Sequence, residues 1–218
     1  MYSRIMSLLR GKYREPAASS RTTPWEVLLF TALSARTRDV QTEPAFRRVM
    51  AAYPTPETLG RAKDSDVAHL LRTIGLYHSK ARNVVALAKA VTERHCGRVP
   101  ADIDALVALP AVGRKTASCV LVYAFGIPAI AVDTHVFRIT NRLGWVRAST
   151  PEKTERALRR VLPRRYWIDV NRVMVQFGRD VCIPGVPKCW MCPVARWCAF
   201  PRKTIAPKEK QRSTINTN

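Results

Sequence analysis

The sequence predicts an all-α protein on three observations. Apolar residues recur three and four apart in segment after segment, Gly and Pro signals fall between those segments, and no two strand-like runs flank a convincing hairpin turn. Near the amino end, Ile5, Leu8 and Leu9 read as the packing positions of a short helix. Thr23-Pro24 opens the next run, with Val27, Leu28, Phe30, Thr31, Leu33 and Ser34 at helical spacing, and residues 45–52 continue after a break at Pro44. Residues 54–61, 65–71 and 79–94 follow, with Gly75 and Gly97 supplying two of the stops. Residues 103–109, 115–125, 134–143, 152–161 and 165–180 complete the set. No repeat of solenoid length is present. Beyond residue 203 the chain is polar and poor in apolar side chains, which predicts a disordered basic and polar tail over 204–218.

At 218 residues the chain has room for one domain or two small ones. Its 37 Lys and Arg stand against 16 Asp and Glu, a formal charge of +21. A surplus of that size repels itself and implies a polyanionic partner, nucleic acid ahead of an anionic membrane surface. No apolar run is long enough to span a membrane, and the amino end lacks the apolar core of a signal peptide. The expectation is therefore a cytoplasmic, nucleoid-associated protein, with an organelle transit sequence in the basic, acid-poor residues 1–21 as the alternative.

The stretch 109–117 is the most informative in the chain. Leu109-Pro110 closes one helix, Gly113 permits a tight hairpin, and the apolar run from Thr116 to Phe125 begins a new helix with Lys115 in its first turn. A cation in that turn opposes the helix dipole, a placement that stability does not explain and a nucleophilic amine does. The competing role is a lysine that binds phosphate. In Val132-Asp133-Thr134-His135, Asp133 supplies the accompanying carboxylate; as an Asp before a helix it is also a plain N-cap, and the two roles are compatible. Within 152–165, Lys153, Arg156, Arg160 and Arg164 form one stripe, with Glu152 and Glu155 in the first turn. A solvated face explains that stripe nearly as well as phosphate binding.

The cysteines are unevenly placed. Cys96 and Cys119 stand alone and read as core or semi-buried thiols, whereas Cys182, Cys189, Cys192 and Cys198 follow the pattern C-x6-C-x2-C-x5-C. Such crowding implies metal chemistry in a reducing compartment. The continuous wrap favours an iron–sulfur cubane over structural zinc, which usually pairs two short knuckles, with disulfides third. Trp190 and Trp197 either shield the centre or pack as ordinary aromatics.

Taken together, residues 109–117, the Val132–His135 segment and the cysteine spacing resemble the endonuclease III branch of the helix-hairpin-helix DNA glycosylases. The similarity runs from about Pro24 to Cys198 through Leu33-Ser34-Ala35, Ile74-Gly75-Leu76-Tyr77 and Ala124-Phe125-Gly126, in the family's order. It implies a two-lobed helical fold, with a six-helix lobe over 20–128 and a cluster lobe made of 1–19 and 129–203. It also implies a 4Fe-4S cofactor on Cys182, Cys189, Cys192 and Cys198, and a monomer acting on duplex DNA that holds damaged bases or abasic sites.

DNA would lie across the cleft, with a phosphate on the hairpin Pro110, Ala111, Val112, Gly113 and Arg114 and the lesion nucleotide flipped between the lobes. The implied chemistry is excision of an oxidised pyrimidine by attack of Lys115 on C1′, a Schiff base, and β-elimination on the 3′ side, assisted by Asp133. His135 lines the pocket in this reading, and is otherwise structural. Leu76 and Tyr77, with His78 beside them, match the opposite-strand wedge, and otherwise close the turn after Gly75.

Three positions depart from the family pattern. Ala111 occupies the place of a hairpin glycine and is strained if that position needs positive φ. Arg36 stands where glutamine is usual; as a pure donor it suits guanine and predicts a preference for lesions opposite guanine, against a simple phosphate contact. In the loop 183–188 only Lys188 is basic. The alternatives are a mismatch-specific thymine, uracil or adenine glycosylase, against which Lys115 argues, and a non-catalytic iron–sulfur DNA-binding or redox-sensing protein, which leaves Lys115 and Asp133 without a task.

Overall fold

A computed structural model describes residues 1–13, 23–35, 37 and 39–206; Arg36 and residues 207–218 of the expected tail lie outside the described residues. Among the described residues there are eleven α-helices and no strand: α1 (Tyr2–Lys12), α2 (Pro24–Ser34), α3 (Asp39–Ala52), α4 (Pro56–Gly60), α5 (Asp64–Leu71), α6 (Tyr77–His95), α7 (Ile103–Val107), α8 (Arg114–Phe125), α9 (Thr134–Arg142), α10 (Pro151–Val161) and α11 (Val170–Asp180).

The helix starts follow from local chemistry. Thr23 and Glu26 cap α2 reciprocally, the Glu26 N–H donating to Thr23 Oγ1 at 3.2 Å and the Thr23 N–H to Glu26 Oε2 at 2.8 Å. Thr55, Asp102, Asp133 and Thr150 cap α4, α7, α9 and α10 through their own side chains, each contributing about 1 kcal/mol. The end of α6 uses left-handed backbone at Cys96 and Gly97, φ +50° and +74°, and the Gly97 N–H reaches back to Val91 O at 3.1 Å.

Some boundaries differ from the sequence pattern for definable reasons. Pro44 lies inside α3 rather than breaking it, because the helix begins at Asp39 and loses only the one bond that residue 44 would have donated. The run 165–180 divides into a 3₁₀ turn, Arg164–Tyr166, and α11. In α1 the buried positions are Ile5, Met6 and Leu9, whereas Leu8 is 44% exposed. Cys119 is buried and Cys96 exposed.

Two apolar cores organise the chain. The first draws on α2 to α8, including Leu28, Leu33, Val49, Leu71, Leu87 and Val120. The second joins α1 to the later helices, with Ile5, Met6 and Leu9 packed among Ile139, Leu158, Met174 and Phe177. Full burial of those three α1 side chains, at roughly 1.5–3 kcal/mol each, explains why the amino end is tied to segments far along the chain. Within the first core, the buried Lys80 of α6 donates to Leu33 O and Thr37 Oγ1, fastening α6 to the chain that leaves α2. Burial holds its ammonium below the usual lysine range.

Candidate active site and DNA-facing surface

The hairpin between α7 and α8 is the point where the first core meets solvent. Leu109 and Val112 are buried beneath it, while Ala111, Gly113, Arg114 and Lys115 are exposed and Pro110 is half-buried. The left-handed residue of this turn is Ala111, at φ +60°, not Gly113, which is extended at φ −85°, ψ 171°. Ala111 thus bears a left-handed cost of about 1–2 kcal/mol that a glycine would avoid. At Gly113 a Cβ would meet no atom within 4 Å, so packing within the protein does not account for a glycine there.

Gly113 offers no side-chain cap to α8, so the first-turn N–H groups of this helix point outward without a side chain in front of them. Lys115 is in that turn, exposed, with no ion pair or hydrogen bond among the described residues. Arg114 beside it is held by Glu155 of α10. Its Nε donates to Oε2 at 2.8 Å and its Nη2 to Oε1 at 3.2 Å.

Asp133 opens α9 as its N-cap. Its Oδ1 accepts from the His135 and Val136 N–H groups at 2.9 and 2.8 Å; Oδ2 takes no hydrogen bond among the described residues. The cap therefore fixes the carboxylate and leaves one oxygen available. No ion pair joins Asp133 to Lys115 among the described residues.

His135 is half-buried, and burial lowers its pKa below the usual histidine value, with Arg138 and Arg179 acting the same way and Asp133 opposing. Arg138 Nη2 lies 3.2 Å from His135 Nδ1. Because a guanidinium only donates, Nδ1 is the acceptor and the neutral ring keeps its proton on Nε2. Arg138 also binds Cys182 O at 2.9 Å and Gly178 O at 3.3 Å, so one side chain links the start of α9 to the first cysteine.

Gly178 is what allows that approach: a Cβ there would be 2.4 Å from His135 Nδ1 and 3.0 Å from Arg138 Nη2 and Ile139 Cδ1. Gly178→Ala is therefore expected to lose about 1–3 kcal/mol of stability, despite alanine's better helix propensity. Thermal denaturation checks it, and the His135 ring resonances should shift.

The wedge candidates lie at the start of α6. Leu76 is left-handed, φ +60°, and 64% exposed; Tyr77 is half-buried, with its ring 4.1 Å from that of the exposed His78. An exposed leucine in a strained conformation gains no packing from its position.

The four crowded cysteines line one cavity, walled by Leu143, Phe177, Val181, Pro187 and Phe200. Trp190 and Trp197 are not in that wall; Trp197 instead stacks with Arg196, 3.8 Å from the ring centre. Among the described residues, no three His, Cys, Asp or Glu side chains converge as a single-ion site. Four soft thiols on the wall of one largely apolar cavity are a donor set suited to a soft metal centre. Burial pushes the Cys192 thiol up to about 11, and raises Cys198 as well; coordination is what deprotonates such thiols. Arg142 braces the loop between the first two cysteines, donating to Ile183 O at 2.7 Å and Gly185 O at 3.2 Å, with Cys182 Sγ 3.5 Å away.

Sequence patterns gave no sign of Glu155, Arg138 or Arg142 as parts of the site. The signals available were two arginines one turn apart after Asp133 and a glutamate one residue off the basic stripe of α10.

The HhH-GPD superfamily base excision DNA repair protein profile matches residues 30–164. Endonuclease III of Thermotoga maritima is 45% identical over 190 residues, 87% of this chain and 89% of that one. Endonuclease III of Escherichia coli K12 is 36% identical over 200 residues, 91% and 95% of the two chains. A trapped endonuclease III–DNA covalent intermediate superposes with a TM-score of 0.83 at 34% identity, covering 91% of this chain and 96% of the other. The chain belongs to the endonuclease III family of the HhH-GPD base excision DNA repair proteins.

Proposed function

We propose that the protein excises oxidised pyrimidines from duplex DNA and then cleaves the strand at the abasic site, with Lys115 as nucleophile and Asp133 as its carboxylate partner. The observation that carries this reading is an exposed lysine in the first turn of a helix, without a partner among the described residues, in a chain whose relative was captured as a covalent DNA intermediate. The lysine amine attacks C1′ as the glycosidic bond breaks and its electron pair leaves with the base. The free Oδ2 of Asp133 stabilises positive charge developing on the sugar or takes a proton from the amine. The ring opens to a protonated Schiff base, loss of a C2′ proton follows, and the 3′ C–O bond breaks.

DNA is the partner, and the protein acts on it as a monomer on nucleoid DNA. The hairpin Pro110, Ala111, Val112, Gly113 and Arg114 receives a phosphate on its outward backbone N–H groups, while the Arg114 side chain stays with Glu155. Leu76 fills a base step from the opposite strand, beside Tyr77 and His78; the exposure and backbone strain of Leu76 are costs that such a wedge explains. His135 presents its Nε2–H to the flipped nucleotide, and Arg36 reads the orphaned base. Cys182, Cys189, Cys192 and Cys198 would hold a 4Fe-4S cluster, which when bound would cross-link the segments around their shared cavity.

Incubation with duplexes holding an oxidised pyrimidine or an abasic site, opposite A or G, followed by borohydride, tests the proposal. A covalent adduct on both substrates, faster opposite G, is expected. Folded protein that binds but does not trap overturns the lyase reading, and equal rates opposite A and G remove the role given to Arg36.

A further inference from the structure

Two polar ties join α8 to the second core, and we propose that together they set the separation of Lys115 from Asp133, with Glu155 and Asn171 as positioning residues. The inference rests on the glycosylase and lyase reading above. Lys115 is on a helix whose apolar residues, Ala117, Val120 and Leu121, belong to the first core. Asp133 caps a helix whose Val136 and Ile139 belong to the second. The spacing of the two groups is therefore a property of how one core is held against the other.

The first tie is one residue from Lys115. Glu155 is buried at 4% exposure yet accepts from two arginines, Arg114 in the bidentate manner given above and Arg159 at 3.0 Å. Arg159 is on the same helix as Glu155, so Arg114 is the partner that brings in α8. A paired fork fixes orientation as well as distance, which an apolar contact does not. Burying such a carboxylate is costly, and apolar replacement of buried ion pairs is often neutral or stabilising; the directional bond is what the pair adds.

The second tie is at the other end of α8. Tyr123 Oη donates to Asn171 Oδ1 at 3.2 Å, and Asn171 Nδ2 donates to Ala131 O at 2.9 Å. Ala131 is two residues before Asp133, so this chain of bonds ends on the backbone that delivers the carboxylate. With ties roughly 13 Å apart along the helix, α8 is fixed against both sliding and rotation. Nucleophilic attack demands that control, since a misplacement of about 1 Å costs on the order of 10²-fold.

The test is single-turnover borohydride trapping by the full chain, cluster included, on a duplex with an abasic site at saturating protein. Glu155→Gln and Arg114→Met are compared with the wild type, with their double variant, and with Ile5→Val, a second-core variant on α1 away from both ties. Each single variant should trap roughly 10-fold more slowly, the double no slower than the slower single, and Ile5→Val at the wild-type rate. Affinity of Glu155→Gln for a duplex with a tetrahydrofuran abasic analogue should be unchanged or tighter, because two guanidiniums are released.

Arg114→Met leaves Glu155 paired with Arg159, which keeps the test open if Glu155→Gln does not fold. Wild-type rates in the single variants, additive losses in the double, or an equal loss in Ile5→Val overturn the proposal alone. Absence of an adduct in the wild type overturns the underlying reading, and this inference with it.

Discussion

Lys115→Gln is expected to yield no borohydride-dependent adduct and to lower strand cleavage at abasic sites by at least roughly 10³-fold, the scale on which removal of a covalent nucleophile acts. The same variant should be as stable as the wild type or slightly more so. Lys115 is exposed and without a partner among the described residues, and its charge opposes the dipole of α8 at a cost of about 0.3–1 kcal/mol. A melting temperature that holds or rises while chemistry vanishes marks a side chain kept for reaction rather than for folding. The competing role, a lysine that binds phosphate, gives a different pattern: weaker DNA binding with a shallower salt dependence and an adduct that persists through another amine. Trapping, melting and salt-dependent binding on one preparation separate the two.

How much of this was legible in the sequence depends on the range over which each feature is determined. Thr23-Pro24 with Glu26, or Asp133 before Thr134, announce helix starts because a cap is made within three residues. The hairpin and the cysteine spacing are legible for the same reason. Pro44 misled because its effect depends on where α3 begins, and Leu8 because a short helix leaves the choice of buried face to its partner.

The hairpin strain is legible as a condition: Ala111 in the place of a hairpin glycine is strained if that position takes positive φ, and it does, at φ +60°. What residue type does not reveal is that Gly113, the glycine of the turn, is extended and leaves the left-handed position to Ala111. Glu155, one residue off a basic stripe, reads as a first-turn surface charge, and only packing of α10 against the start of α8 buries it between two arginines. Long-range pairs such as Arg138 with the Cys182 carbonyl, or Asn171 with that of Ala131, are set by how helices distant in sequence meet, and no local pattern encodes them.

Asp133→Asn should separate the two roles of that carboxylate. Asparagine caps helices about as well as aspartate, and its Oδ1 can accept from the His135 and Val136 N–H groups as Asp133 does now. Stability should therefore change by no more than about 0.5 kcal/mol, while the charge is lost and the free Oδ2 acceptor becomes an amide NH2. Base excision and trapping should nonetheless fall by roughly 10²-fold, because an amide neither stabilises a developing cation on the sugar nor accepts a proton from the lysine. Asp133→Ala should match that loss and add about 1 kcal/mol of destabilisation from the missing cap. DNA affinity should not weaken in either variant, since a negative charge is taken from a surface that faces phosphate. If Asp133→Asn excises at the wild-type rate, the residue is a cap and nothing more, and the free Oδ2 has no part in the chemistry. If rate falls while melting holds, the cap is the means by which the fold keeps a reactive carboxylate in one place.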